Sequence, residues 1–253
     1  MGKILTMPFD GSTESATATT APQDVSREDA ATFDVLRKMR EDILCCVLKP
    51  DQRLRFGELR QRYGTSVGTL REALSHLVSE GLARTEAGRG FQVAPISLAD
   101  FLDLSELRVY LETRTLADAI RHGTDAWEAE IVSSYFLLSK LGKPSPDDPV
   151  SLKREWGKRH KRFHDSLVAT CTSPWSLHFR SELFDQARRY HWLTMIHARS
   201  RRKNEHLELR DAVLARDVAL ACGLIEKHIR GTVEQAASEV PGLTLEMTKR
   251  KKA

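Results

Sequence analysis

Two short helical patterns separated by a glycine-containing break constrain the fold of this 253-residue chain more than any other feature. Residues 58–63 predict one short helix, and residues 64–66 (Gly-Thr-Ser) interrupt it. In the following stretch, up to Gly81, the apolar residues lie on one face of a second helix. An earlier helical pattern over residues 33–48 ends before Pro50. Two short helices joined by a three-residue turn are typical of a helix-turn-helix.

The residues after Gly81 change to an apolar spacing of two. Residues 82–85 and 91–93 predict two strands, and the basic, glycine-rich residues 86–90 predict the turn between them. A helix-turn-helix followed by such a hairpin is a winged helix, in which the second helix and the hairpin tip both reach a DNA duplex. A three-helix core with a hairpin that binds no DNA is the alternative interpretation.

The recognition helix of this winged helix begins near Ser66, and its first turns are the part that enters a major groove. Arg71 is the strongest candidate for a base or phosphate contact. One such helix reads only a few base pairs, so we expect a homodimer on a palindromic site in double-stranded DNA. We predict that the DNA-contacting residues are Arg55, Arg62, Ser66, Thr69, Arg71, Arg89 and Gly90.

The second half of the chain shows helical spacing throughout. Ser97 and Thr124 are placed to cap the first two helices, and Pro174 suits the first position of a later one. The sequence therefore predicts a mainly α fold, with the winged helix-turn-helix over residues 29–95 (three helices plus a β-hairpin). An antiparallel bundle of about six helices is expected over residues 97–240.

The flanking segments and the composition add weaker expectations. Residues 1–28 are rich in Ser, Thr and Ala and predict a disordered arm, while residues 241–253 predict a basic tail. A net charge of +4 permits nucleic acid binding without requiring it. No apolar run approaches the roughly 20 residues that a membrane span needs, so a cytoplasmic protein without a membrane partner is expected. The four cysteines form no CxxC pair and predict reduced, buried thiols.

Four histidines are the candidate metal ligands. His160 and His164 are four residues apart on the apolar face of a predicted helix, which argues against a nucleic-acid-binding strip. His206 and His228 lie on either side of a predicted helical turn at residues 216–217, each about 15 Å from it at about 1.5 Å per residue. All four imidazoles are thus expected to meet inside the bundle. A single buried histidine is more often a core residue than a ligand.

Residues 54–95, "LRFGELRQRYGTSVGTLREALSHLVSEGLARTEAGRGFQVAP", resemble the DNA-binding domain of GntR-superfamily bacterial transcription regulators. The segments LREAL, EGL and RGFQV carry most of the resemblance. The chain departs from the family pattern at Val67, where the family has Arg, and at Gly57, Gly68 and Thr69. The resemblance implies a winged helix, whereas these departures mean that the operator sequence is not transferable from relatives.

The segments "LSELRVYLETRTLADAI", "HKRFHDSLVAT" and "NEHLELRDAVLARDVALACGLIEKHI" resemble the FCD ligand-binding domain of the FadR-type branch of these regulators. The resemblance implies a divalent metal beside a small carboxylate effector, with Arg108 as the partner of that carboxylate. His160 replaces the family's usual Asp, and four nitrogen ligands suit zinc or nickel, and also cobalt or copper. The alternative is that the metal has been lost and the histidines bind the effector directly. The matching residues are Arg108, Glu112, His164, Glu205, His206 and His228.

Three functions follow from these features. The leading hypothesis is a bacterial one-component transcription regulator, a repressor or an activator, whose operator binding is modulated by a small carboxylate at the metal site. A metal-dependent hydrolase is the alternative, although residues 160–164 (HKRFH) lack the Glu that HExxH uses as a general base. A constitutive architectural DNA-binding protein would leave the four histidines without a role.

Overall fold

The structure, a computed structural model, describes residues 27–197 and 204–243. The expected arm up to residue 26 and the tail from residue 244 lie outside the described residues. The N-terminal elements are α1 (Arg27–Leu44), β1 (Arg53–Leu54), α2 (Phe56–Tyr63), α3 (Val67–Ser79), β2 (Ala83–Glu86) and β3 (Gly90–Val93). The C-terminal elements are α4 (Leu98–His122), α5 (Asp125–Ser139), α6 (Val150–Leu167), α7 (Pro174–His197), α8 (Glu205–Leu214) and α9 (Val218–Glu239). The predicted mainly α fold is confirmed.

The turn between α2 and α3 has the geometry of a helix-turn-helix. Gly64 ends α2 in the left-handed region at φ 64°, where a side chain would be strained. Ser66 then caps α3, because its Oγ accepts a hydrogen bond from the Thr69 backbone N–H at 3.2 Å. Leu59 of α2 and Leu70 and Leu74 of α3 are buried in the core that α1 completes.

The wing has one more strand than the sequence predicted. β3 pairs antiparallel with both β2 and β1, which gives the strand order β1-β3-β2. β1 has two residues, too few to show an alternating pattern. Its Leu54 is buried in the same core as α1 and α3. The additional strand, β1, therefore attaches the wing to the helices.

The predicted end of the first helix is wrong by four residues. α1 ends at Leu44, and Cys46 follows in the left-handed region at φ 51°. Leu48 is nevertheless buried. The apolar pattern thus continued past the helix because the turn after it also faces the core.

The C-terminal half is the predicted helical bundle. Ser97 and Thr124 cap α4 and α5 through hydrogen bonds from the backbone N–H groups of Asp100 and Trp127. α4 packs against α7 and α9, and α5 packs against α6 and α8. No helix in the described part of the chain combines the length and apolar character that a bilayer-spanning segment needs. All four cysteines are free, Cys45 and Cys171 are buried, and the other two are half-buried.

The two halves contact each other through α1 and α7. The Arg188 guanidinium donates to both Glu41 carboxylate oxygens at 2.9 Å. Arg40 pairs with Asp185 at 3.2 Å. The Gln186 amide donates to the Glu80 backbone carbonyl at 2.6 Å. Asp185, Gln186 and Arg188 all belong to α7. This helix therefore links the winged helix to the bundle interior.

Candidate metal centre and DNA-binding face

The structure brings the four predicted histidines together inside the bundle. α6 supplies His160 and His164, whose Nε2 atoms are 3.1 Å apart. α8 supplies His206 and α9 supplies His228, and their ring centroids are 4.9 Å apart. One nitrogen from each of the four residues lies within 4.8 Å of all the others. The helical turn at residues 216–217 therefore places His206 and His228 side by side, as their spacing predicted.

The nitrogen atoms of this cluster are arranged as a metal site requires. His206 Nε2 is buried and has no hydrogen-bond partner among the described residues. His228 Nδ1 lies 3.0 Å from a carboxylate oxygen of Glu205. A carboxylate in this position fixes the ring orientation and makes the opposite nitrogen a better ligand. The donor set thus fits a divalent transition metal.

A modest inward movement completes the coordination geometry. Zinc–nitrogen bonds of about 2.0–2.1 Å place ligand atoms at most about 4 Å apart. The nitrogens of this cluster lie within 4.8 Å of one another, so closure requires shifts of under about 1 Å. Rotation of the imidazole side chains supplies shifts of this size.

Burial keeps three of these imidazoles, those of His160, His164 and His206, neutral, as metal ligation requires. Removal from water lowers the pKa of His160 and His164 well below the usual range, and the neighbouring histidines lower it further. Burial likewise lowers the pKa of His206 to about 3, with an added contribution from His228. Neutral imidazoles have lone pairs available at neutral pH, so the cluster is ready to bind a cation.

A cavity of about 370 Å³ opens beside the cluster. A fifth histidine, His191 of α7, lines it, and its buried Nε2 has no partner among the described residues. The sequence reasoning missed His191, since no spacing relates it to the other four. Its ring centroid lies 5.8 Å from that of His160. Polar side chains that also line the cavity are Ser139, Lys143, Thr194, Asn204, Glu205, Thr232 and Gln235.

Arg108, the predicted partner of an effector carboxylate, lies behind the wall of this cavity and does not line it. Its guanidinium is buried over the Phe184 ring, 5.2 Å from the centroid, and pairs with Glu112 at 3.4 Å. Two of its nitrogens, Nε and Nη1, have no partner among the described residues. The positive charge of Arg108 is one cause, after burial, of the lowered pKa of His191.

Arg180 of α7 connects Arg108 to the histidine cluster, and no motif or spacing in the sequence indicated it. Its guanidinium donates to Glu112 at 2.7 Å and to the His164 backbone carbonyl at 2.9 Å. A third hydrogen bond goes to Asp165 at 2.8 Å. Arg180 thereby fixes the backbone of α6 at His164, a candidate metal ligand.

The exposed start of α3 carries the predicted DNA-contacting residues. Ser66 and Arg71 are exposed and Thr69 is half-exposed, with the Arg71 guanidinium 5.5 Å from the Phe56 ring centroid. Arg55 and Arg62 are exposed and make ion pairs, with Glu58 at 3.2 Å and with Asp42 at 3.1 Å. The Arg55–Glu58 pair is open to water, where the exchange of a carboxylate for a phosphate costs little, whereas Asp42 is largely buried.

The wing tip carries the two remaining predicted contacts. Arg89 and Gly90 are both exposed there. Gly90 is in the left-handed region at φ 78°, so the tight tip requires glycine at this position.

Comparison with known proteins identifies the family. Residues 32–93 match the bacterial regulatory proteins of the gntR family, and residues 103–231, more than half of the chain, match the FCD domain. The chain belongs to the GntR family. Members of this family are DNA-binding transcription regulators, so this GntR protein is not an enzyme and the hydrolase alternative is wrong.

Individual relatives agree with this assignment. The GntR protein is 42% identical over 205 residues to the HTH-type transcriptional regulator BphR of Paraburkholderia xenovorans, covering 80% of this chain and 82% of BphR. It is 36% identical to the HTH-type transcriptional repressor GlaR of Escherichia coli, over 78% of this chain and 91% of GlaR. The solved structure of E. coli McbR/YncC shares the fold, with a TM-score of 0.68 at 18% identity, over 82% of this chain and 97% of that one.

Proposed function

We propose that this GntR-family regulator is a repressor that binds a palindromic operator as a homodimer and responds to a small carboxylate held at a metal site in its FCD domain. The observation that carries the proposal is the cluster of four inward-facing histidines, three of which (His160, His206 and His228) line a cavity of about 370 Å³. Ligand sites in proteins are commonly such concave cavities with a few convergent polar groups. Measurement of operator affinity with and without added carboxylate tests this function directly.

The chemistry of the cluster favours zinc or nickel over magnesium or calcium. All four donors are imidazole nitrogens, and the hard cations prefer oxygen ligands. When bound, such a metal would supply a positive centre that attracts a carboxylate oxygen. His160, where the family usually has Asp, contributes no negative charge, so an anionic ligand gains more from binding here.

The surroundings of the cluster also favour an anion. Arg108 and Arg180 are both buried and share the single carboxylate of Glu112. Asp165, the second acidic partner of Arg180, is 42% exposed. The buried network therefore keeps positive charge behind His191, where a ligand carboxylate in the cavity would experience it.

Arg71→Ala is expected to weaken operator binding by about 1–3 kcal/mol, because Arg71 is the exposed arginine in the first turns of the recognition helix. Fluorescence anisotropy at fixed salt, with DNA from upstream of the regulator's own gene, measures the effect. His76→Ala, an exposed position one turn later on α3, is the control and should bind nearly as the parent protein does. Unchanged affinity in Arg71→Ala would remove Arg71 from the interface.

The homodimer has a candidate interface on the outer surface of α4 and α7. These adjacent helices run antiparallel, as the Glu112–Arg180 and Asp100–Tyr190 contacts show. They turn large apolar side chains to solvent, which are between 51% and 73% exposed. Exposed apolar side chains on adjacent helices mark an interaction surface, and two-fold DNA sites call for a second copy of this chain. We name this surface the α4–α7 face: Leu107, Tyr110, Trp175 and Phe179.

The double variant Leu107→Asp/Phe179→Asp should be monomeric at micromolar concentration, because it places carboxylates in the middle of the α4–α7 face. Analytical ultracentrifugation of the full chain measures the association state. Val132→Asp removes a similarly exposed apolar residue from α5 and should leave a dimer. A double variant that sediments as the parent protein does would place the interface elsewhere.

A further inference from the structure

We propose that Lys143, in the loop between α5 and α6, selects for a negatively charged ligand at the cavity. This inference rests on the proposed function and names a specificity-determining residue for it. Lys143 lies outside the motifs that the sequence indicated, at the start of a polar, proline-containing loop.

The first observation is the position of Lys143. It lines the cavity together with four histidines, His160, His191, His206 and His228. Among the described residues of the cavity wall, Lys143 is the one lysine or arginine. Arg108 lies behind that wall, so a ligand in the cavity meets Lys143 directly.

The second observation is that the loop is anchored. Lys153 of α6 is buried, and its ammonium donates to the backbone carbonyls of Pro146 and Asp148 at 2.7 and 2.5 Å. Asp148 in turn accepts from the Ser145 backbone N–H at 2.6 Å. The backbone next to Lys143 is therefore held in place, and the lysine projects from a fixed point.

The third observation is electrostatic. The charge of Lys143 acts on several of the histidines and, after burial and their other neighbours, contributes to the lowered pKa of His160, His191 and His206. The ammonium is thus within Coulombic range of the metal ligands. Its effect on the two occupants of the site is opposite in sign: it repels a metal cation and attracts a carboxylate bound to that metal.

This opposition separates a role in specificity from a structural role. Lys143→Met keeps most of the side-chain length and removes the charge. Zinc should bind this variant as tightly as it binds the parent protein, or more tightly, because a repulsive charge is gone. A carboxylate should bind the zinc-loaded variant roughly tenfold more weakly, as expected for loss of one charge-assisted contact.

The matched control is Lys140→Met. Lys140 is three residues away, is exposed and does not line the cavity, and its ammonium lies 4.6 Å from the Phe136 ring centroid. Isothermal calorimetry of the full-length proteins is run first with zinc alone. Acetate, succinate and citrate are then titrated into the zinc-loaded proteins, followed by the neutral amide of whichever binds most tightly.

The inference predicts that Lys143→Met loses carboxylate affinity, keeps zinc affinity, and binds the neutral amide as the parent protein does, while Lys140→Met changes none of these. Unchanged carboxylate affinity in Lys143→Met overturns the inference, and so does a joint loss of zinc and carboxylate binding, which indicates a structural role. If the parent protein binds none of the three carboxylates, the proposed function itself fails. That result is obtained with the parent protein alone, so failure of the proposed function is distinguishable from failure of the inference about Lys143.

Discussion

Removal of the bound metal is expected to destabilise the protein by about 4 kcal/mol, if the metal had been present at a thousandfold excess over its dissociation constant. The reason is mass action, because the four histidines converge only in the folded chain and the unfolded chain offers no comparable site. For a helical domain of this size, the melting temperature should fall by roughly 8–16 °C. Calorimetric melting before and after treatment with a chelator measures the change.

His164→Ala tests whether this loss comes from the histidine cluster. The variant should retain little metal and show almost no further shift on chelation. His178→Ala, an exposed histidine at the start of α7, is the control and should behave as the parent protein does. Elemental analysis of protein purified without an affinity tag counts the metal. Less than about a tenth of an equivalent after reconstitution would rule out the metal site.

The metal content also distinguishes two roles of the histidines, which are to hold a metal that binds the effector or to contact the effector directly. If the protein binds no metal yet its DNA affinity still responds to a carboxylate, the histidines contact the effector directly. Uptake of a proton by a histidine would then strengthen binding, because burial lowers the pKa of His160 and His164 and their neutral rings carry no charge. Carboxylate binding would consequently tighten as the pH falls.

The sequence located the histidine cluster because helical geometry is local. His160 and His164 are one turn apart, and the positions of His206 and His228 relative to their turn follow from the rise per residue. Arg108 was found through the family resemblance. A resemblance identifies the residue but does not show whether its side chain lines the cavity or is buried away from it. The structure places Arg108 behind the cavity wall, since its partner Glu112 and the Phe184 ring hold it there.

The remaining site residues could not be predicted, because tertiary packing alone brings them to the site. His191 and Arg180 come from α7, whose buried residues include arginines and an aspartate and so do not follow a simple apolar stripe. Lys143 is in a loop that carries no periodic signal. The same limit applies in the winged helix, where the two residues of β1 are recognisable only through their pairing with β3.

Side-chain contacts connect the helix that carries His160 and His164 with the DNA-binding helices. Asp42 of α1 accepts from Arg154 of α6 at 3.0 Å, and α6 carries two of the histidines. The same carboxylate accepts from Arg62 at 3.1 Å and from Tyr63 at 2.8 Å, both in α2. A shift of α6 on ligand binding would therefore move the Asp42 carboxylate. That carboxylate holds Arg62, a predicted phosphate contact.

Addition of a fitting carboxylate to the metal-loaded dimer is expected to change operator affinity some 5- to 150-fold, the range given by a coupling free energy of about 1–3 kcal/mol. The physical requirement is that the carboxylate binds more tightly to one arrangement of the two DNA-binding domains than to the other. Anisotropy titrations with the regulator's own upstream DNA, with and without metal and carboxylate, measure the coupling. The carboxylate should have little effect once the metal has been removed.

Arg154→Met tests whether this coupling passes through Asp42. The variant should keep metal and carboxylate binding, because Arg154 does not line the 370 Å³ cavity, while the change in operator affinity shrinks severalfold. Arg162→Met is the control, since Arg162 is another arginine of α6, more exposed than Arg154, that pairs with Glu130 and not with α1. Full coupling in Arg154→Met would assign the signal to the Arg188–Glu41 contact between α7 and α1 instead. If no carboxylate changes the operator affinity of either the parent protein or the Arg154→Met variant, the bundle does not have the proposed sensory role.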